Sequence, residues 1–211
     1  VFKKHFMDPI LNAMSALMNK GVSEQEIYDY LMKKHAIERN REMAVREHLK
    51  LDPKSYKQRM ESWAADRDAL RHQTGLTWKE MQDKLDKLAN SYGATVNVDY
   101  SGLTEIYPTL TSYTDRKATA IADVEELENR FANETKELLD KVKLANQAIL
   151  TKQRESGLIS KETFAQISSM YEYYVPLRGF DDLTSDHVYD YINAPKSTFN
   201  AVVKEAKGRH S

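Results

Sequence analysis

The chain has 211 residues, a length that suits one ordinary domain or two small ones. Its formal net charge is −1, which argues against a surface built to neutralise the phosphates of nucleic acid. The absence of cysteine excludes disulfides, thiolate metal sites and a cysteine nucleophile. Only 7 Gly and 5 Pro occur, too few for a β-sandwich or barrel with many turns, so the composition favours long helices.

The first 93 residues carry the start and stop signals of four helices joined by short connections. Capping residues and Asp-Pro pairs mark the starts, and glycine marks two of the ends. The predicted starts are Asp8-Pro9, Ser23, Asp52-Pro53 and Thr77, and the predicted ends include Gly21, about Leu49 and Gly93. Amphipathic helices with short connections are typical of an antiparallel bundle.

Residues 94–114 interrupt this pattern, because Thr95–Tyr100 alternates in polarity like a short strand. The interruption is either a small hairpin or an irregular excursion. Helical periodicity then returns and predicts one helix over Arg116–Ser156, about 60 Å long, with Glu128 and Thr135 as polar members of its apolar stripe. A helix of this length packs on several others, joins two lobes, or pairs with a second copy to form an oligomer.

The sequence therefore predicts an all-α protein, a helical bundle with one long helix of about 40 residues and a small irregular or hairpin insertion near 94–114. Three sections are expected to fold together as one domain: antiparallel helices in 1–93, the insertion in 94–114, and in 115–211 the long helix, a Tyr-rich strap and C-terminal helices. No apolar stretch approaches the ~18 residues of a membrane span, so no membrane association is expected. The chain starts without Met, and we expect a fragment of a longer polypeptide, with processing of a short precursor as the alternative.

The second helix has a polar interruption in its apolar stripe. His35 and Glu38 are three residues apart and share a face, with Asn40 and Arg41 close by. A metal site would need carboxylates from other helices and the order Glu-x-x-His, whereas the order here is reversed. An acid–base pair would need a recognisable nucleophile or phosphate loop, and none is present. We therefore expect a structural polar network or a solvated face, with no catalytic residue, no metal and no cofactor.

A Tyr-rich segment between two predicted helices departs from helical spacing. It is either a strap that seals the bundle or a groove for a peptide or nucleic acid, and we expect the strap. Its candidate members are Tyr171, Tyr173, Tyr174, Pro176, Leu177 and Phe180, together with the cation Arg178. We hypothesise that the strap packs on the polar interruption of the second helix. Arg178 would then donate to Glu38, and His35 would bond the hydroxyl of Tyr173 or Tyr174.

Two short motifs, Lys34–Asn40 and Tyr173–Phe180, resemble segments of the large polyvalent proteins of phages and conjugative elements. Those proteins are very long chains of effector domains joined by helical regions, and they enter a recipient cell with the DNA. The resemblance covers roughly 27–180 and implies one of the helical regions. The resemblance implies no catalytic residues in this chain.

These observations predict a non-catalytic scaffold or interaction module excised from a larger mobile-element protein. Its expected partners are other domains of the same chain or a separate protein. One alternative is a nucleic-acid-associated helical module with weak binding, since residues 1–93 carry a slight excess of basic side chains. Another is an enzyme centred on His35 and Glu38. The expected location is the cytoplasm, with delivery into a recipient bacterial cell together with DNA.

Overall fold

The computed structural model of the protein describes residues 3–173, and all regular structure in this range is helical. A π-helical turn, Lys3–Met7, precedes eight α-helices, and the described residues contain no strand. The helices are α1 (Asp8–Met18), α2 (Glu24–Leu49), α3 (Tyr56–Arg71), α4 (Trp78–Ser91), α5 (Leu103–Ile106), α6 (Tyr113–Arg130), α7 (Ala132–Glu155) and α8 (Lys161–Met170). The predicted all-α class is confirmed.

Local side-chain hydrogen bonds account for several helix starts. At α4, the Thr77 hydroxyl accepts from the backbone N–H of Glu80, whose side chain accepts from the N–H of Thr77. The start of α3 differs from the prediction, because the helix begins at Tyr56 and not at Asp52-Pro53. The Ser55 hydroxyl donates to Asp52 Oδ2 over 2.8 Å, so this carboxylate belongs to the turn before the helix.

The insertion at 94–114 is irregular, with the single turn α5 inside it. The backbone of the insertion is hydrogen-bonded by side chains of α2, where a hairpin would have used a second strand. The Asn40 side-chain oxygen accepts from the N–H of Tyr100 over 2.7 Å, and Arg39 donates to the Tyr100 carbonyl. Asp99 accepts from the N–H of Ser101 and from both the N–H and the hydroxyl of Thr104, which holds the chain at the start of α5.

The predicted long helix forms two helices separated by one residue. α6 has 18 residues and α7 has 24, and between them Phe131 leaves the helical region with φ −135° and ψ 57°. The buried Thr135 hydroxyl donates to the Phe131 carbonyl over 2.8 Å. Back-bonding of this kind bends helices. Together, α6 and α7 cover nearly the same residues as the predicted long helix. The periodicity did not indicate the break between them.

The backbone contacts divide the chain into two compact units. Of the described residues, 3–35 and 122–173 belong to the first unit, and Ala36–Ile121 forms the second. α2 and α6 each contribute residues to both. The sequence divided the chain into three sections by the order of its elements, because helix punctuation does not show which elements pack together.

Each unit has its own apolar core. In the first unit α1 packs on α7, and the C-terminal part of α7 packs with α8 through Leu150, Ile159 and Ile167. In the second unit one cluster surrounds Trp63 and Val45, and another forms around Leu103. No helix within residues 3–173 combines the length and apolar character needed to cross a bilayer.

Candidate functional site

Five consecutive polar residues of α2, 38–42, are buried in the second unit and form what we call the polar segment. With 3.6 residues per turn, five successive side chains point in every direction around a helix. Together they therefore meet several parts of the surrounding protein. An unpaired charge in such a place is strongly unfavourable, so the partners decide whether the segment is stable.

The two carboxylates of the polar segment bind α3. Glu42 accepts from Arg67 Nη1 over 2.8 Å, and the indole N–H of Trp63 lies 3.1 and 3.2 Å from its two oxygens. Burial alone would lower the pKa of Arg67, but the adjacent Glu42 carboxylate raises it above its usual value. Glu38 accepts from Arg71 Nη2 over 3.0 Å. Both carboxylates are therefore bound to arginines that belong to the same unit.

Arg41 of the polar segment binds α4. Its Nε donates to Asp86 Oδ1 and its Nη2 to Gln82 Oε1, both over 2.8 Å, and Lys117 from α6 binds the other Asp86 oxygen. Burial alone would raise the pKa of Asp86, but the charges of Arg41 and Lys117 hold it below its ordinary value. The carboxylate therefore stays ionised between two cations.

The remaining two residues, Arg39 and Asn40, bind the loop before α5. Besides its bond from Tyr100, Asn40 donates to Asp99 over 3.3 Å. Burial alone would raise the pKa of Asp99, yet its hydrogen bonds with Thr104 and Ser101 lower it. The polar segment is thus joined to α3, α4 and this loop.

His35 belongs to the first unit and has 0% exposure. Its ring contacts Tyr171 edge to face, with 5.2 Å between the ring centroids. The neighbouring Lys34 ammonium lies 4.3 Å from the centroid of the Tyr173 ring, within the range of a cation–π contact. The start of the Tyr-rich segment therefore lies against α2.

A second buried charge cluster in the first unit centres on Glu128 of α6. Its Oε2 accepts from Lys34 Nζ and from the Tyr30 hydroxyl, each over 2.7 Å. Burial and then the Glu128 carboxylate raise the pKa of Tyr30 far above its usual value, so this hydroxyl remains a donor. Lys34 is buried and Glu128 is 25% exposed, so the carboxylate is accessible from one side.

Glu128 is one of the residues that line a cavity of about 320 Å³, which we call the α7 pocket. It lies entirely within the first unit, along one face of α7. Its apolar walls include Leu31, Leu139, Val142 and Tyr173, and Glu128 is one of its polar groups. The α7 pocket therefore combines apolar walls with several charged side chains, one of which, Glu128, is already bound to a lysine.

The structure describes only part of the predicted site. His35, Glu38, Asn40 and Arg41 are buried, but His35 and Glu38 fall in different units and have their described partners in their own units. Of the strap, Tyr171 and Tyr173 are described. Tyr174, Pro176, Leu177, Arg178 and Phe180 lie outside the described residues, so the bonds predicted for Arg178 and for the tyrosine hydroxyls stay predictions.

The sequence did not lead us to the partners of these residues, although some of the partners are polar residues at apolar positions of their helices. Arg67 falls at an apolar position of the third helix, and Glu128 and Thr135 fall in the stripe of the predicted long helix. A polar residue at a core position needs a buried partner. No comparable signal marked Asp86 or Gln82.

Within residues 3–173, no group of three or more His, Asp or Glu side chains is arranged to hold a metal ion. The site consists of internal ion pairs together with one apolar pocket. No protein-family model, curated protein or solved structure matches this chain.

Proposed function

We propose that this chain is a non-catalytic helical interaction module of a larger mobile-element protein, of the polyvalent kind that its two motifs resemble. The observation that carries the proposal is the polar segment of α2. Its charged side chains are buried and bound within the chain. Such an arrangement supports a stabilising role, since the groups that suggested chemistry in the sequence are engaged in holding helices together.

The burial of His35 argues against the enzyme alternative. A general base must lie within hydrogen-bond reach of the proton that it removes. His35 has 0% exposure and stacks edge-on with Tyr171, while Glu38 is 2% exposed and binds Arg71. A substrate would have to open the fold to reach either group.

The described surface also limits how a partner can bind. Four large apolar side chains are strongly exposed among the described residues, and they lie on four different segments: Met18, Leu51, Val98 and Leu144. Two of them belong to each unit, and a few exposed apolar residues are normal on a protein surface. These side chains alone therefore do not define an interface.

The test uses the full reading frame from which the chain derives. Its other segments are expressed separately and titrated into this chain by calorimetry at ~150 mM salt, where non-specific nucleic-acid binding is weak. We expect saturable binding of at least one segment and a duplex DNA dissociation constant weaker than about 1 µM. The absence of binding by every segment would contradict the proposal. Duplex binding tighter than this limit would support the nucleic-acid alternative.

A further inference from the structure

The α7 pocket has the volume and the apolar lining of a site for a single aromatic ring. Its volume of about 320 Å³ is at the lower end of the roughly 300–1,000 Å³ of ligand sites. Leu31, Leu139 and Val142 supply apolar surface, and the Tyr173 ring adds an aromatic wall. A large cofactor does not fit such a space, whereas a single aromatic side chain does.

Glu128 gives the pocket one unused hydrogen-bond acceptor. Its Oε2 takes both bonds, from Lys34 and Tyr30, and its Oε1 receives none from the described residues. A ligand that covers this oxygen shields it from solvent and must supply a donor of its own, because an unsatisfied buried acceptor is costly.

The charges of the described residues around the pocket cancel, which favours a neutral ligand. Among these residues, Glu128, Asp140 and Glu172 are the carboxylates of the lining, and Lys136 and Lys143 are its ammonium groups. With the Lys34 ammonium, which is bound to Glu128, these residues carry three positive and three negative charges. A cationic side chain would be repelled by the lysine already on Glu128, and an anionic one by Glu128 itself.

We propose that the α7 pocket receives the side chain of a tryptophan or tyrosine from a protein partner. The indole N–H or phenol O–H donates to Glu128 Oε1, and the ring packs against Leu139 and Val142. Tryptophan and tyrosine join a large apolar area to one donor, which is why they anchor many interfaces. Phenylalanine has a large apolar area but no hydrogen-bond donor in its side chain. This inference rests on the proposed function, since it names the partner group that an interaction module would bind.

The test compares ligands that differ by the donor alone. N-acetyl-tryptophanamide, its 1-methyl-indole analogue and N-acetyl-phenylalaninamide are titrated into the ¹⁵N-labelled chain and followed by NMR. We expect the tryptophan probe to shift amides of residues 132–143 with a millimolar dissociation constant. A lost hydrogen bond of about 1–1.5 kcal/mol predicts roughly 5- to 12-fold weaker binding of the methylated and phenylalanine probes.

A matched pair of variants locates the site. Ala132 lines the pocket and is exposed, so Ala132→Leu adds volume there. Asn133 is exposed on the same turn and does not line the pocket, so Asn133→Leu is the control. We expect at least a tenfold loss of tryptophan binding in the first variant and no change in the second.

Three results would overturn the inference: equal binding of the tryptophan and methylated probes, unchanged binding by Ala132→Leu, or no binding at all. The two proposals fail separately. If the probes do not bind but a segment of the reading frame still does, only the pocket assignment is wrong. If no segment binds, the interaction module itself is wrong.

Discussion

The buried pair of Glu42 and Arg67 allows a quantitative test of the polar segment. Their side chains are 3% and 4% exposed, and their atoms Oε1 and Nη1 are 2.8 Å apart. Changing either one to methionine keeps much of the volume. Arg67→Met leaves the Glu42 carboxylate buried without a cation, and Glu42→Met leaves Arg67 with only the more exposed Asp68, 3.1 Å from its Nε. Each single change should therefore reduce the free energy of unfolding by about 3–5 kcal/mol.

The double variant should lose much less than the sum of the two single losses. With both charges removed, the main remaining cost is the indole N–H of Trp63, which loses its acceptor on Glu42. That cost is about 1–3 kcal/mol. If the two changes were independent, the loss would be about 6–10 kcal/mol. The expected coupling energy is therefore about 3 kcal/mol or more.

Urea unfolding followed by tryptophan fluorescence measures this cycle. Both tryptophans, Trp63 and Trp78, belong to the second unit, so the signal reports the unit that contains the pair. Lys50→Met is the control, because Lys50 forms only an exposed pair with Glu47, worth at most about 1 kcal/mol. The reasoning is refuted if Arg67→Met costs no more than this control, or if the losses of the two single variants add.

Three further predictions use simpler changes. Gly93 has φ +90°, and a Cβ built there would lie 2.4 Å from His48 Nε2, whereas Gly75 has φ +80° and open space around it. Gly93→Ala should therefore reduce the stability measured in urea more than Gly75→Ala does. Equal losses would contradict the steric argument. Because the pKa of Asp86 is below its ordinary 3.8, its charge stabilises the fold above that pH and the benefit is lost as pH falls through the lower folded pKa. Asp86→Asn should therefore reduce the acid sensitivity of the urea midpoint, and an unchanged pH profile would count against it. Protein purified without chelator should contain no stoichiometric zinc, iron or manganese, and a metal that disappears in His35→Ala would reverse this expectation.

The sequence alone was sufficient for most of the helices, because many helix starts and ends are local events. The capping box of Thr77 and Glu80 spans four residues and forms as predicted. α2 also ends at Leu49, where the periodicity predicted it. The polar interruption of α2 was visible as well, since a stripe of apolar residues makes each polar exception stand out.

What the sequence could not supply was the partner of each buried group. Periodicity shows that Glu38 and Glu42 lie on one side of α2, but their arginines come from α3, 33 and 25 residues away along the chain. The interpretation of the polar interruption therefore depended on contacts that no local pattern encodes. Arg71, the described partner of Glu38, was not predicted, and the bond predicted from Arg178 stays a prediction because Arg178 lies outside the described residues.

The break between α6 and α7 and the α7 pocket were also decided by tertiary structure. Glu128 and Thr135 were recognised as polar members of an apolar stripe, but a stripe does not show that Thr135 bonds the Phe131 carbonyl or that Lys34 from α2 binds Glu128. The sequence fixes in advance only which residues share one face of a helix. A buried ion pair between helices depends on how the chain folds back on itself, and only the packed structure brings Lys34 and Glu128, 94 residues apart, within 2.7 Å.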